Sequence, residues 1–206
     1  LKQTILASGG SEFSSIYKTA DLTALQNAKV TNELLVIVTA PYPTQELAYQ
    51  TAKNYFNSLG VNTKMSLVLD KSDSDNSDYA QEIASASAIY LAGGTPSRLV
   101  ETFINTRVGE ALLSAVESEA VVMGSSAGAM LMSKRVIMPS GEDLGEGLNL
   151  LHDSIVLPHF HSNVPQWINE YRSQNIKFIG LAEGGSILTS VTSETSITEF
   201  GSVTYL

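Results

Sequence analysis

Cysteine is absent from the 206 residues. Disulfides, thiolate metal sites and a cysteine nucleophile are thereby excluded. Histidine is scarce too, with only His152, His159 and His161. His159 and His161 form an H-x-H pair, which can hold a metal from one face of a strand, but no further histidine joins them locally. No metal and no organic cofactor are expected. Basic residues are few and scattered: 12 Lys and Arg stand against 21 Asp and Glu, for a formal charge of -9. Nucleic acid and anionic membranes demand clustered positive charge, so neither is the expected partner. No run is apolar and long enough to span a bilayer. No basic segment with a hydrophobic signal core follows Leu1, which makes the cytoplasm the expected location. G-x-G-x-x-G and the Walker A loop are missing as well, so nucleotide binding has no motif behind it. The acidic run "KSDSDNSD" lacks the calcium-loop pattern of a central glycine and distal Glu, and reads as a solvated link.

What is present is a pattern of alternating strands and helices. The apolar fraction of 43% is that of a globular chain, and the length suits a single domain over 1–206. "TILAS" (Thr4–Ser8) reads as a buried strand closed by glycines. "LLVIVTA" (Leu34–Ala40) is a second, stopped by Pro41. From Thr44 the apolar residues Leu47, Ala48, Ala52, Tyr55, Phe56 and Leu59 fall at helical spacing, with Thr44 as N-cap and Gly60 as stop. "KMSLVLD" (64–70) is the next expected strand, "YAQEIASA" a helix, and "AIYLAGG" (88–94) a strand ending on glycines. A helical pattern from Pro96 to about Ser118 breaks near Gly109. "AVVMGSS" is a strand and "AGAMLMS" opens a helix. Beyond it "DSIVLPHFH" is a strand entering a loop, "PQWINEYRSQN" a helix and "KFIGLAE" a strand. The Thr/Ser/Val-rich end suggests short antiparallel strands. Such alternation implies right-handed βαβ units and a mostly parallel sheet covered on both faces. Ligands then bind beyond the carboxyl ends of the strands. Glycine-bearing turns occur at three such ends: Gly9–Gly10, Gly93–Gly94 and Gly124–Gly128.

Gly124–Ser125–Ser126–Ala127–Gly128 fits G-x-S-x-G between an apolar strand and a helix, the context of a nucleophile elbow. A tight strand-to-helix turn pushes the central side chain clear of the sheet and crowds its neighbours, so they must be small. Packing of a strand–turn–helix alone would produce the same string. Ser125 is the rival nucleophile, but the central position favours Ser126. The Ala127 N–H would face the reacting oxygen. A serine needs a base. His159 follows "SIVLP" at a strand end, on the same rim as Ser126, and His161 is its rival. Glu142, Asp143, Glu146 and Glu183 are all available to orient the imidazole. "LAGGTPSRL" supplies a second oxyanion donor, the Gly94 N–H, with Gly93 permitting close approach.

Together "IYLAGGTPSRLV", "GSSAGAML", "PHF" (158–160) and "IGLAEGGSIL" resemble, in the right order, the motifs of the S51 serine peptidases, the group containing peptidase E and cyanophycinase. The resemblance covers most of the chain. It implies a flavodoxin-like three-layer sandwich similar to the class I glutamine amidotransferases. It implies Ser126 as nucleophile, His159 as base, and oxyanion donors at Gly94 and Ala127. "VIMPSGE" resembles the family's acid-bearing segment, which favours Glu142 for the third member, with Asp143 as runner-up. Peptidase E holds the aspartate of its substrate with an arginine after the PHF segment. The matching stretch here is shorter and offers only Arg172; Arg98 is an alternative cation, set against the plainer reading of a surface ion pair.

The expected function is therefore a serine peptidase of short peptides, dipeptidase-like and with N-terminal Asp substrates in view. Ser126, His159 and Glu142 are its triad, and Gly93, Thr95, Arg98 and His161 its substrate-contacting residues. A monomer or homodimer is expected. The rival readings are an esterase on an α/β-hydrolase fold and a silent binding module that keeps the elbow for packing.

Overall fold

The structure, a computed structural model, describes residues 3–28, 33–39, 44–140, 143–171, 175–191 and 195–206. Among these, strands β1 (Gln3–Ser8), β2 (Leu34–Ile37), β3 (Thr63–Met65), β4 (Ala88–Leu91) and β5 (Val121–Ser125) pair side by side in parallel. Strands β10 (Ser186–Val191) and β11 (Thr195–Phe200) extend the sheet antiparallel beyond β1, giving the order β11-β10-β1-β5-β4-β2-β3. The fold is mixed α/β with a mostly parallel central sheet, as the alternation implies. Strands β2, β4 and β5 are buried at every position. That is why they read as unbroken apolar runs rather than alternating ones.

Helices cover both faces. On one lie α3 (Ser77–Ser85), α4 (Pro96–Phe103), α5 (Arg107–Glu117) and α6 (Ala127–Leu131), whose Ile83, Leu99, Phe103, Leu112 and Leu131 join an aliphatic core with Ile5, Ile37, Leu91 and Val122. On the other lie α1 (Lys18–Leu25) and α2 (Gln45–Ser58), packing Ala24, Leu25, Ala52 and Phe56 against Leu6, Val36 and Tyr90. A fully buried Leu or Phe side chain is worth about 1.5–3 kcal/mol relative to exposure. Each face of the sheet thus draws stability from its own core. A second sheet, β12-β9-β8, is built from β8 (Ser154–Pro158) parallel to β9 (Lys177–Leu181), with β12 (Val203–Tyr205) antiparallel to β9.

Several expectations meet local corrections. Thr44 does cap α2, accepting from the Leu47 N–H at 3.2 Å, and Gly60 takes φ +80° just past its end. The strand expected over 64–70 stops at Met65. Val68 then turns inward, its carbonyl accepting from Thr39 Oγ1 at 2.6 Å, and Asp70 begins a capping box with Asp73. The long helix breaks at 104–106 rather than near Gly109. Thr106 caps α5 and accepts from the Gly109 N–H at 3.3 Å, so Gly109 lies inside the new helix. Helix α7 is only Ile168–Tyr171 among the described residues. Helix α1 and the hairpin of β6 (Arg135–Ile137) with β7 (Leu144–Glu146) were not expected at all. In α1 the buried face is Ala20, Asp21, Ala24 and Leu25, a stripe of small residues and one acid that carries little periodic signal.

Candidate active site

Strand β5 lies between β1 and β4, with Ser125 opposite Ser8 and Gly124 opposite Leu91, so three strand ends reach one rim. Ser126 follows at φ +50° and ψ -115°, a strained backbone for a residue with a side chain. Its N–H still donates to the Ser8 carbonyl at 3.0 Å, which holds the turn to the sheet. Gly128 shows why the turn needs glycine: a Cβ there would meet the Leu91 carbonyl oxygen at 2.1 Å. The two serines part company here. Ser125 is buried and its hydroxyl donates to the Gly10 carbonyl at 2.7 Å. Ser126 faces the cleft, with Oγ 3.0 Å from His159 Nε2.

His159 stands one residue past β8, at φ +52°, and its N–H donates to the Gly9 carbonyl at 2.7 Å. Because Pro158 pairs with Leu181, the exits of β8 and β9 lie together. The turn after β9 therefore brings Glu183 Oε2 to 3.4 Å from His159 Nδ1. That turn is pinned at Gly184, whose N–H donates to the Tyr17 hydroxyl at 2.9 Å. Burial pushes the Tyr17 phenol above its ordinary value; the Gly184 N–H works the other way and the Glu183 carboxylate adds to the rise. Gly10 lies beneath both groups, where a Cβ would meet Glu183 Oε2 at 2.3 Å and His159 Cε1 at 2.7 Å. The "PHF" and "GLAEGG" segments interlock for the same reason of space, the Phe160 ring lying against Gly180.

Glu142 lies outside the described residues. Asp143 is exposed and accepts from Ser140 Oγ at 3.3 Å, within its own turn, and Glu146 pairs across β6–β7 with Arg135. Among the described residues the acid against His159 is Glu183, one of the four open to the sequence.

A cleft of about 540 Å³ opens at this rim, bordered by Ser126, His159, Gly94, Glu12 and Phe13, and by Leu47, Ala48 and Thr51 of α2. Gly94 stands at its edge with φ +121°, and Gly93 is buried behind it. Ala127 is the first residue of α6, where an N–H has no partner within the helix. Thr95 precedes α4 and is exposed. Arg98 is exposed on α4 and outside the cleft wall, where its charge helps hold the Asp70 carboxyl below its usual value, after the larger effect of the Ser72 bonds. His161 is not in the cleft wall; it borders a neighbouring hollow of about 320 Å³ that His159, Pro158 and Phe160 also line. Arg172 is outside the described residues. No group of three or more His, Asp or Glu among the described residues is placed to hold a metal. Reading by motif overlooked Glu12 and the α2 wall. "GGSEF" after the first strand was the available signal, since β1 ends at the same rim as β5.

A strained serine at a strand-to-helix turn, in hydrogen-bond reach of a histidine on an α/β sheet, is an arrangement of nucleophile and base that some serine-type hydrolases use. The chain belongs to peptidase family S51, whose model matches residues 5–197. A cyanophycinase from Geminocystis herdmanii (strain PCC 6308) is 25% identical over 173 residues, which cover 79% of this chain and 64% of that protein. The chain thus spans under two thirds of that relative's length. A peptidase from an acI-B1 Actinobacterium has the same fold, with a TM-score of 0.81 at 22% identity over 98% of this chain and 89% of the other. A putative peptidase E protein from Listeria monocytogenes EGD-e aligns with a TM-score of 0.69 at 14% identity, over 98% and 100% of the two chains.

Proposed function

We propose that this chain is a serine peptidase of short peptides, in which Ser126, His159 and Glu183 act together. The observation that carries the reading is the 3.0 Å approach of Ser126 Oγ to His159 Nε2 at the strained turn. Ser126 Oγ attacks the scissile carbonyl carbon while Nε2 takes the hydroxyl proton. The same proton then passes to the leaving amine as the C–N bond breaks. Water repeats the cycle on the acyl-enzyme, releasing the acid and restoring the serine. Glu183 holds the proton on Nδ1, which leaves Nε2 free to accept, and it stabilises the imidazolium. The N–H groups of Gly94 and Ala127 receive the oxyanion; losing one such donor typically costs about 10²–10³ in turnover. The layering of helices on both faces of the sheet supports the likeness to class I glutamine amidotransferases. The cleft wall contains no arginine among the described residues, so the reading does not extend to Asp at the substrate's N-terminus.

The test is hydrolysis of a dipeptide panel by the wild type and by Ser126→Ala, together with labelling by a fluorophosphonate. Turnover should fall by at least about 10⁴-fold in the variant, and the label should sit on Ser126 alone. Full turnover by Ser126→Ala would end the proposal. An ester-only profile would instead favour the esterase.

A further inference from the structure

The cleft holds one carboxyl that the mechanism above does not use. Glu12 follows the Gly9–Gly10 turn, is half-buried, and lines the same cavity as Ser126 and His159. A methyl group built on Gly93 would touch both sides of this arrangement, at 2.7 Å from Glu12 Oε2 and 3.2 Å from Ser126 Cβ. The carboxyl and the nucleophile therefore flank a single glycine, next to the N–H expected to receive the oxyanion.

Burial pushes the Glu12 carboxyl above its ordinary value, with backbone N–H groups of Gly93 and of Glu12 itself opposing that rise. It is the only carboxylate among the described residues bordering the cleft, and neither Lys nor Arg accompanies it there. A half-buried carboxylate without a counter-charge is costly. Beside a developing oxyanion it is also counterproductive, because like charges at short range raise the barrier. Both costs disappear if the substrate brings a cation to this place.

We propose that Glu12 receives the α-ammonium of the substrate, and so directs cleavage to the peptide bond after a free N-terminal residue. The proposal rests on the serine peptidase reading. Covalent geometry sets the reach it needs. The α-nitrogen of an amino acid lies about 2.5 Å from its own carbonyl carbon, and an attacked carbonyl sits about 3–3.5 Å from the nucleophile. A carboxylate separated from Ser126 by one glycine is at the right range to grip that nitrogen. Phe13, Leu47 and Ala48 form the neighbouring wall. They fit an apolar side chain on the same residue. The substrate class is thus a dipeptide or short peptide with an unblocked, apolar first residue. Glu12 is a binding residue here and takes no part in proton transfer.

The experiment compares Leu-Ala with N-acetyl-Leu-Ala, for the wild type and for Glu12→Gln. The wild type should prefer the free amine by about 10- to 100-fold in kcat/KM, as a charge-assisted bond is worth. In Glu12→Gln the preference should shrink below about threefold, through a higher KM for Leu-Ala. An unchanged preference in the variant overturns the proposal. So does an equal loss on both peptides, which would make Glu12 a support for the Gly93 turn. A wild type indifferent to acetylation overturns it too. Fluorophosphonate labelling of the wild type separates the two failures. Labelled Ser126 without amine preference sinks only the role of Glu12. No label and no cleavage sinks the peptidase reading and this proposal with it.

Discussion

The two faces of the central sheet are packed in different ways. The face under α3, α4, α5 and α6 is mainly aliphatic: Ile, Leu, Val, Ala and Met surround Phe103, with the buried hydroxyls of Thr102 and Thr106 at its edge. The face under α1 and α2 is aromatic and polar. Phe13, Tyr55, Phe56 and Tyr90 stack edge-on or tilted with centroids 4.9–6.4 Å apart. Beneath them Tyr55 donates to Asp21 Oδ2 at 2.6 Å, while Asp21 Oδ1 is buried without a hydrogen-bond partner among the described residues. The cleft opens on this second side, over Phe13 and α2. The aliphatic face positions the nucleophile; the aromatic face shapes what meets it. Close packing suits the first task, because a displaced Ser126 is useless. The second tolerates polar groups that cost stability.

Three substitutions probe this division, from strongest to weakest. Gly128→Ala forces a Cβ against the Leu91 carbonyl on the aliphatic face. It should lower stability by about 3 kcal/mol, read as a shifted urea midpoint, and reduce fluorophosphonate labelling of Ser126. Retained stability and labelling would show that the turn can yield. Glu183→Gln keeps the shape of the turn after β9 but removes its charge. Turnover should fall by about 10- to 100-fold, less than for a fully buried triad acid, because this pair is half exposed. Asp143→Asn should change turnover by less than about twofold. The opposite ranking would return the role to the β6–β7 hairpin.

Asp21→Asn tests the aromatic face through pH. Burial raises the Asp21 carboxyl from 3.8 to about 7, with the Tyr55 bond opposing the shift. The folded protein thus holds this proton more tightly than the unfolded chain. The stability it contributes is full below pH 3.8 and is lost as pH rises toward about 7. Asparagine cannot ionise and escapes that loss. The variant should gain on the wild type across this window and lead by about 1–2 kcal/mol at pH 8. A gap independent of pH would mean that Asp21 titrates alike in the folded and unfolded chains.

Much of this was legible in the sequence where the signal is local. The apolar runs of β1, β2, β4 and β5 announce a buried parallel sheet, and Thr44 and Gly60 bracket α2. Ser126, Gly94 and His159 are found from strand ends, because a rim collects whatever follows its strands. The rest depends on contacts distant in sequence. Asp21 weakens the pattern of α1 because its burial is met by Tyr55, 34 residues away. Glu183 could not be chosen over other acids by spacing. Its approach to His159 depends on β9 pairing with β8 and on Tyr17 pinning Gly184. Glu12 reads as a loop acid until the fold sets it in the same cleft as Ser126 and α2.

The Ser8 carbonyl accepts from Ser126, the Gly9 carbonyl from His159, and the Gly10 carbonyl from Ser125. Three consecutive peptide units act as a splint between nucleophile and base, which arrive from different sheets and lie 33 residues apart. The grip is made by main-chain oxygens, and it needs glycine at two of the three positions: a Cβ on Gly9 would press on the Leu181 and Ala182 carbonyls, and one on Gly10 on His159 and Glu183. It is equally sensitive to length. One residue inserted between Ser8 and Gly10 would leave every catalytic side chain in place in the sequence and pull the pair apart in space.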